Sequence, residues 1–278
     1  MLLRTCLIAL LALFVLPATA QEQPRYRWLD APAARDLAAS FAPPTGFARA
    51  AVVADSFALW LRHLPLKPDG APVVLFDGRA RADQSGAAAV IDIDVGRRDL
   101  QQCADAVMRL RAEWLHAVGR HEALAFDFTS GDRYAYADWR RGRTPSISGS
   151  KVSWIERGSR PDDRAGLRAW LDIVFTYAGS LSLQRELRKV SDVATVAAGD
   201  VLIQGGSPGH AVIVLDVAHD AAGRPAVLLA QSFMPAQSIH VLRNPQGGAW
   251  FRLREGDAIV TPDWRFAPAD LRRFAGPR

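Results

Sequence analysis

A cysteine becomes a nucleophile where its surroundings favour the thiolate, and the start of a helix is one such place. The run Asp99-Leu-Gln-Gln-Cys103-Ala-Asp-Ala-Val107 has that character. Asp99 is a residue type that caps helices, and Gln102 follows three positions on, as in a capping box. Cys103 is then expected about one turn inside the helix, where backbone N–H groups and the positive end of the dipole lower a thiol pKa. The same residues fit a second description. Cys103, Val107, Leu110 and Trp114 recur at helical spacing and form an apolar stripe, which makes Cys103 equally a core residue.

The base such a thiol needs has a candidate in Gly199-Asp-Val-Leu-Ile-Gln-Gly-Gly-Ser-Pro-Gly-His210-Ala-Val-Ile-Val-Leu-Asp-Val217. A strand enters a Gly/Pro-rich turn, and a second strand opens at His210. Alternation predicts His210, Val212, Val214 and Asp216 on one face, with Ala211, Ile213, Leu215 and Val217 on the other. Both faces are largely apolar, so the strand is expected inside its sheet. A histidine at its start, beside glycines that admit other groups, is placed for general-base work; a hydrogen-bonded structural histidine is the alternative. Gly205-Gly-Ser207-Pro-Gly209 matches the G-x-S-x-G pattern of serine hydrolases, but that elbow needs a helix after the serine and an N–H on the next residue. Pro208 has no N–H and a strand follows, so Ser207 is not read as a nucleophile.

The third candidate lies in Leu228-Leu-Ala-Gln231-Ser-Phe-Met-Pro-Ala-Gln237. Asp220, Gly223 and Pro225 imply a turn before it, so this strand should return antiparallel beside the His210 strand. Gln231 or Ser232 would then orient the imidazole, and hairpin register does not decide between them.

Other chemistries find little support. His63, His116, His121, His210, His219 and His240 form no HExxH or Cys/His pattern, and His116 and His121, five apart, do not share a helix face well. No P-loop or dinucleotide fingerprint is present, so neither a metal nor another cofactor is expected. The formal net charge is +5, but it is spread along the chain. The densest basic run, Arg140-Arg141-Gly142-Arg143 near Tyr134, Tyr136 and Trp139, reads as a solvated loop and not as a nucleic-acid site.

The elements that must position these residues can be read around them. Residues 1–20 have the form of a signal peptide: Arg4, an apolar core from Leu7 to Leu16, and Ala18-Thr19-Ala20 as cleavage site. That core is shorter than the roughly 20 residues needed to span a bilayer. The expected product is a periplasmic or secreted chain, residues 21–278, without stable membrane insertion. Export also removes Cys6 and leaves Cys103 with no intramolecular disulfide partner. Helices are expected at Pro32–Phe41, Leu100 to about Val118, Arg164–Leu187 with a weak point at Gly179, and Pro268–Phe274. Strands are expected at Ala50–Val53, Val73–Phe76, Ala88–Ile93, Val201–Gln204, His210–Val217, Ala226–Gln231, Ser238–Leu242 and Ala258–Val260. Helices in the middle followed by a run of strands indicate a single α+β domain.

The segments DLQQCADAVMRLRAEWL, GDVLIQGGSPGHAVIVLDVA and LLAQSFMPAQSIHVLRNP, with WLRHLPLKP (60–68) and FTSGDRYAYADWRRG (128–142), closely resemble the bacterial family called domain of unknown function 4846, DUF4846. The likeness covers nearly all of the chain after residue 20. A more distant resemblance is to the NlpC-type papain-like cysteine peptidases, which cleave amide bonds in cell-wall peptides. It rests on a cysteine at a helix start, GDV…GH opening a strand, and a polar residue on the next strand. The resemblance implies Cys103 as nucleophile, His210 as base and Gln231 as orienting group, on an antiparallel sheet packed against the helix that bears Cys103. Gln102-Cys103-Ala104-Asp105 stands where those peptidases carry Asp-Cys-Ser-Gly. The interval from Cys103 to His210 is wide, so Arg164–Leu187 would be a helical insertion. The implied partners are peptidoglycan or cell-wall peptides; a non-enzymatic ligand-binding or envelope-assembly protein with the same fold is the alternative.

Overall fold

The computed structural model describes residues 26–276, so the expected signal peptide lies outside the described residues. The chain opens with α1 (Leu37–Ser40), β1 (Phe47–Arg49) and α2 (Phe57–Arg62), the last capped by the Ser56 hydroxyl. Strand β2 (Ala87–Val90) and the long helix α3 (Cys103–Ala117) follow. Next come two hairpins around a short helix: β3 (Ala125–Asp127) with β4 (Arg133–Ala135), α4 (Tyr136–Arg141), then β5 (Arg143–Ser148) with β6 (Lys151–Glu156). Helices α5 (Arg164–Tyr177) and α6 (Ser180–Glu186) are separated at Gly179, where the sequence is weakest for helix. The remainder is β: β7 (Arg188–Lys189), β8 (Val201–Gln204), β9 (His210–Asp220), β10 (Pro225–Gln231), β11 (His240–Leu242), β12 (Trp250–Arg252), β13 (Ile259–Val260), β14 (Arg265–Phe266) and β15 (Leu271–Arg273).

The fold is α+β, with an antiparallel sheet in the order β2-β11-β10-β9-β8-β15-β7. Its spine is β9 against β10. The eleven residues of β9 reach two partners on one side, β8 at the His210 end and β1 at the Asp220 end; β10 is flanked in the same way by β11 and β12. Two apolar layers cover the two faces. Ala211, Ile213, Leu228 and Ala230 join the cluster that contains α3, α5 and α2, including Cys103, Trp114 and Trp170. Val212, Val214, Val227 and Leu229 join the other, with Phe251, Ile259 and Phe266. Because both faces are buried, β9 and β10 carry near-continuous apolar runs, as central strands do.

Several expectations change. The predicted alternation holds from His210 to Leu215 and then breaks, because a bulge shifts the β9–β10 register and sets Asp216 opposite Leu228. Asp216 therefore turns to the α2 side, where it is fully buried and bonded to Arg49 (2.8 Å) and Arg62 (2.9 Å). The chain end read as a helix is a short 3-10 turn, Pro268–Asp270, followed by β15, because Leu271 pairs with Leu202 at the sheet edge. The strand expected at Ala50–Val53 lies earlier, at β1, and Val53 is exposed. Among the described residues no helix is long and apolar enough to cross a membrane.

Candidate active site

Cys103 is the first residue of α3, one turn earlier than its capping pattern implied. Gln102 is the N-cap, and the Asp105 carboxylate accepts its N–H at 3.0 Å. Asp99 does not cap the helix. Its Oδ1 accepts from the Ala236 N–H (2.7 Å) and the Gln102 side chain (3.1 Å), and so ties the approach to α3 to the loop after β10. Ser232 braces the same junction, its hydroxyl lying 2.9 Å from both the Gln101 and Gln237 carbonyls. It is thus engaged with backbone and not with His210.

Cys103 is a free cysteine and is 8% exposed. The amides of Ala104, Ala211 and Cys103 itself act on its sulfur and favour the thiolate, but burial outweighs them. Burial and, second, the nearby Asp105 push the thiol up to about 11. Asp105 is itself held up to about 8 by burial, and among the described residues its Oδ1 has no hydrogen-bond partner. The sign of its influence follows. Below pH 8 the carboxyl is largely neutral; above it the anion opposes a second negative charge on sulfur. Asp105→Asn keeps an acceptor for the Gln102 N–H but removes that charge. Iodoacetamide labelling of Cys103 at pH 9–10 should accelerate on the order of threefold to tenfold, with little change at pH 7. Equal rates at pH 9–10 would refute the coupling.

His210 opens β9, and its neighbour Ala211 carries the amide that faces the Cys103 sulfur. The His210 ring turns to the other face and sits among Phe233, Trp264 and Phe266, with ring centroids 5.0, 5.3 and 6.0 Å away. It is 1% exposed, and burial lowers its pKa; the contact with Gln231 and the charge of Asp263 oppose this less strongly. Its Nε2 lies 2.8 Å from Gln231 Oε1. Among the described residues no hydrogen bond reaches Nδ1, and none joins the Cys103 thiol to the imidazole. Gln231 is buried in turn, and its Nε2 donates to Asp263 Oδ2 (2.6 Å) and contacts His240 Nε2 (3.4 Å). Asp263 is ion-paired with Arg81 at 2.6 Å. His240 Nδ1 donates to the Ser238 carbonyl at 3.0 Å, and burial holds this imidazole down to about 4.

The structure thus joins His210 to Gln231 on one face of the sheet and leaves Cys103 on the other, against the Ala211 backbone at the start of α3. Sequence reasoning missed Asp263, Arg81 and His240, which come from three distant segments with no local motif. The glycines around Ser207 also have an explanation. A Cβ on Gly205 would meet Leu181 Cα at 2.9 Å, and one on Gly209 would meet Ser180 Oγ at 2.4 Å and the Gly206 carbonyl at 2.6 Å. They let the loop before His210 lie directly on the start of α6.

The chain belongs to the family described as Domain of unknown function (4846). The match spans residues 37–273 and so includes every residue of this site. No curated protein and no solved structure matches the chain.

A second cluster in this DUF4846 chain corrects the sequence reading. His116 and His121 do come together: α3 ends at Ala117, and Gly119, at φ +72°, turns the chain so that the two rings stack 4.9 Å apart. Each lies 3.1 Å from an oxygen of Asp162, and the three ligand-type atoms fall within 4.8 Å of one another. The surrounding cations decide its character. Arg27 Nη1 is 3.2 Å from His116 Nδ1, so it donates there and the ring proton sits on Nε2, facing Asp162. Arg140 takes the other carboxylate oxygen at 3.0 Å. The basic run also has partners: Arg141 pairs with Asp138, and Arg143 lies over Trp154 at 4.3 Å.

Proposed function

We propose that this protein is a papain-like cysteine hydrolase that cleaves amide bonds in cell-wall peptides. The observation that carries the reading is the His210 Nε2 to Gln231 Oε1 contact of 2.8 Å, with the amide of the next residue, Ala211, on the sulfur of a cysteine at a helix start. The distant likeness to the NlpC-type peptidases and the expected export of the chain support the substrate class.

The chemistry runs from a neutral pair. The thiol is protonated and the imidazole unprotonated at neutral pH, and the ring faces away from the sulfur, so the thiol proton passes to His210 Nδ1 through a bridging water as sulfur attacks the carbonyl carbon. Charge that develops on the carbonyl oxygen is met by backbone N–H groups at the start of α3, that of Cys103 among them. The imidazolium gives its proton to the leaving amine as the C–N bond breaks. Water then attacks the thioester with Nδ1 as base, releasing the carboxylate product and restoring the thiol. Phe233 meets the ring edge-on, Trp264 is tilted against it and Phe266 stacks on it, and together they keep it from bulk water.

The test is digestion of purified peptidoglycan followed by chromatography of soluble peptides. Cys103→Ala should abolish peptide release and iodoacetamide labelling while leaving the thermal transition within a few degrees. One observation favours a second reading, a ligand-binding or envelope-assembly protein of the same fold: Cys103 and His210 are both nearly inaccessible, at 8% and 1% exposed. Full peptide release by Cys103→Ala, or a native Cys103 that reacts only after denaturation, selects that reading.

A further inference from the structure

Gln231 can orient His210 only if its own amide has one orientation, and a glutamine beside an imidazole has two. With Oε1 toward His210, the ring must carry its proton on Nε2. With the amide reversed, the ring must accept at Nε2 and carry its proton on Nδ1, where no base remains for a thiol. Contacts on the far side of Gln231 decide between them. A carboxylate only accepts, so the amide atom 2.6 Å from Asp263 Oδ2 is the nitrogen. His240 points the same way: its Nδ1 donates to the Ser238 carbonyl, so its Nε2 is a lone pair that accepts from the second amide hydrogen at 3.4 Å. Arg81 holds Asp263 in place through the other carboxylate oxygen at 2.6 Å.

We propose that Asp263 is a positioning residue which, through Gln231, sets the tautomer of His210 with Nε2 protonated and Nδ1 free. Its purpose rests on the hydrolase reading; the tautomer itself does not. The chain of contacts runs from Arg81 through Asp263 and Gln231 to His210, across segments near residues 81, 263, 231 and 210, and each link fixes the next. Removing Asp263 leaves the Arg81 guanidinium, a donor only, beside the amide. Oε1 then turns toward Arg81, and the amide N–H₂ faces His210. The His240 contact is too long to prevent this.

The experiment is long-range 1H–15N NMR of the 15N-histidine-labelled protein at pH 7.5, with the His210 signals identified by their absence in His210→Gln. The unsubstituted protein should show the Nε2–H tautomer. Asp263→Ala should shift His210 to Nδ1–H or to a mixture. It should also cut peptidoglycan hydrolysis by roughly 10²-fold or more through kcat, with KM little changed. Asp263→Glu, which keeps a carboxylate able to accept from both Arg81 and Gln231, should retain the parent tautomer and most of the rate. An Nδ1–H tautomer in the unsubstituted protein overturns the proposal even where Asp263→Ala does not fold. So does an unchanged tautomer in Asp263→Ala, including one with lost activity, since that marks Asp263 as merely structural. If the tautomer follows Asp263 while no form hydrolyses peptidoglycan, the positioning role stands and the hydrolase reading fails.

Discussion

Asp216→Ala should be the most destabilising single change in the sheet, at about 3–5 kcal/mol, the range for removing one partner of a buried ion pair. Asp216 is fully buried, yet it neutralises two guanidiniums: Arg49 Nε at 2.8 Å and Arg62 Nε at 2.9 Å. Its Oδ1 also accepts the Val217 N–H at 2.9 Å, where the bulge interrupts the ladder. Alanine leaves two half-buried cations facing one another with no counter-charge. Their remaining acceptors, the carbonyls of Ala38, Phe41 and Ala50, remove part of the cost but none of the repulsion. Arg49 sits on β1 and Arg62 on α2, so the damage should spread to the segment from α1 to α2 before it reaches β10. Thermal denaturation should show a fall on the order of 10 °C. Asp216→Asn, which keeps the shape and one acceptor, should lose clearly less. A melting point within two degrees of the parent for Asp216→Ala would show that the pair contributes nothing net.

Asp216 also shows where sequence reading stops. The strands around it were legible because Gly and Pro turns bound short apolar runs: Val201–Gln204 matches β8, and the opening of β9 at His210 and the close of β10 at Gln231 fall where expected. The antiparallel return that brings Gln231 to His210 followed from the turn residues between them. A bulge has no such marker, so alternation placed Asp216 on the wrong face. The hairpins β3–β4 and β5–β6 escaped because they are half-exposed and mix Arg, Ser and Thr with single aromatics, which leaves no clean period. The terminal segment Pro268–Phe274 has helical spacing, but pairing with β8 overrides local preference. The site divides in the same way. Cys103, His210 and Gln231 each sit at the boundary of an element with a recognisable start or end. Asp263 and His240 act only through contacts more than twenty residues away or across strands, and Thr261-Pro-Asp-Trp264 contains no pattern that announces a partner for Gln231.

His210→Ala should bring the largest kinetic loss, and the pH dependence should say why. Burial lowers the His210 pKa from its ordinary value near 6.5, and burial together with Asp105 lifts the thiol to about 11. If the protein is the proposed hydrolase, its competent form is neutral imidazole with neutral thiol, not a preformed ion pair. Protonating His210 removes the base, so turnover should fall as pH drops through the folded pKa of His210, with its acid limb below pH 6.5. On the alkaline side the rate should hold to about pH 8 and then decline as Asp105, held up to about 8, ionises beside the sulfur. His210→Ala removes the acid limb with the base and should lower kcat by roughly 10²–10⁴-fold, the usual worth of a positioned general base. It also empties a niche between Phe233 and Trp264 and leaves Gln231 Oε1 unpaired, so a loss of stability of about 1–3 kcal/mol should accompany it. His210→Gln refills much of that niche and can donate to Gln231. It should therefore recover stability without recovering rate, and that separation distinguishes a catalytic base from a structural histidine. If His210→Gln turned over at the parent rate, or if the acid limb survived the substitution, the base would have to be sought elsewhere.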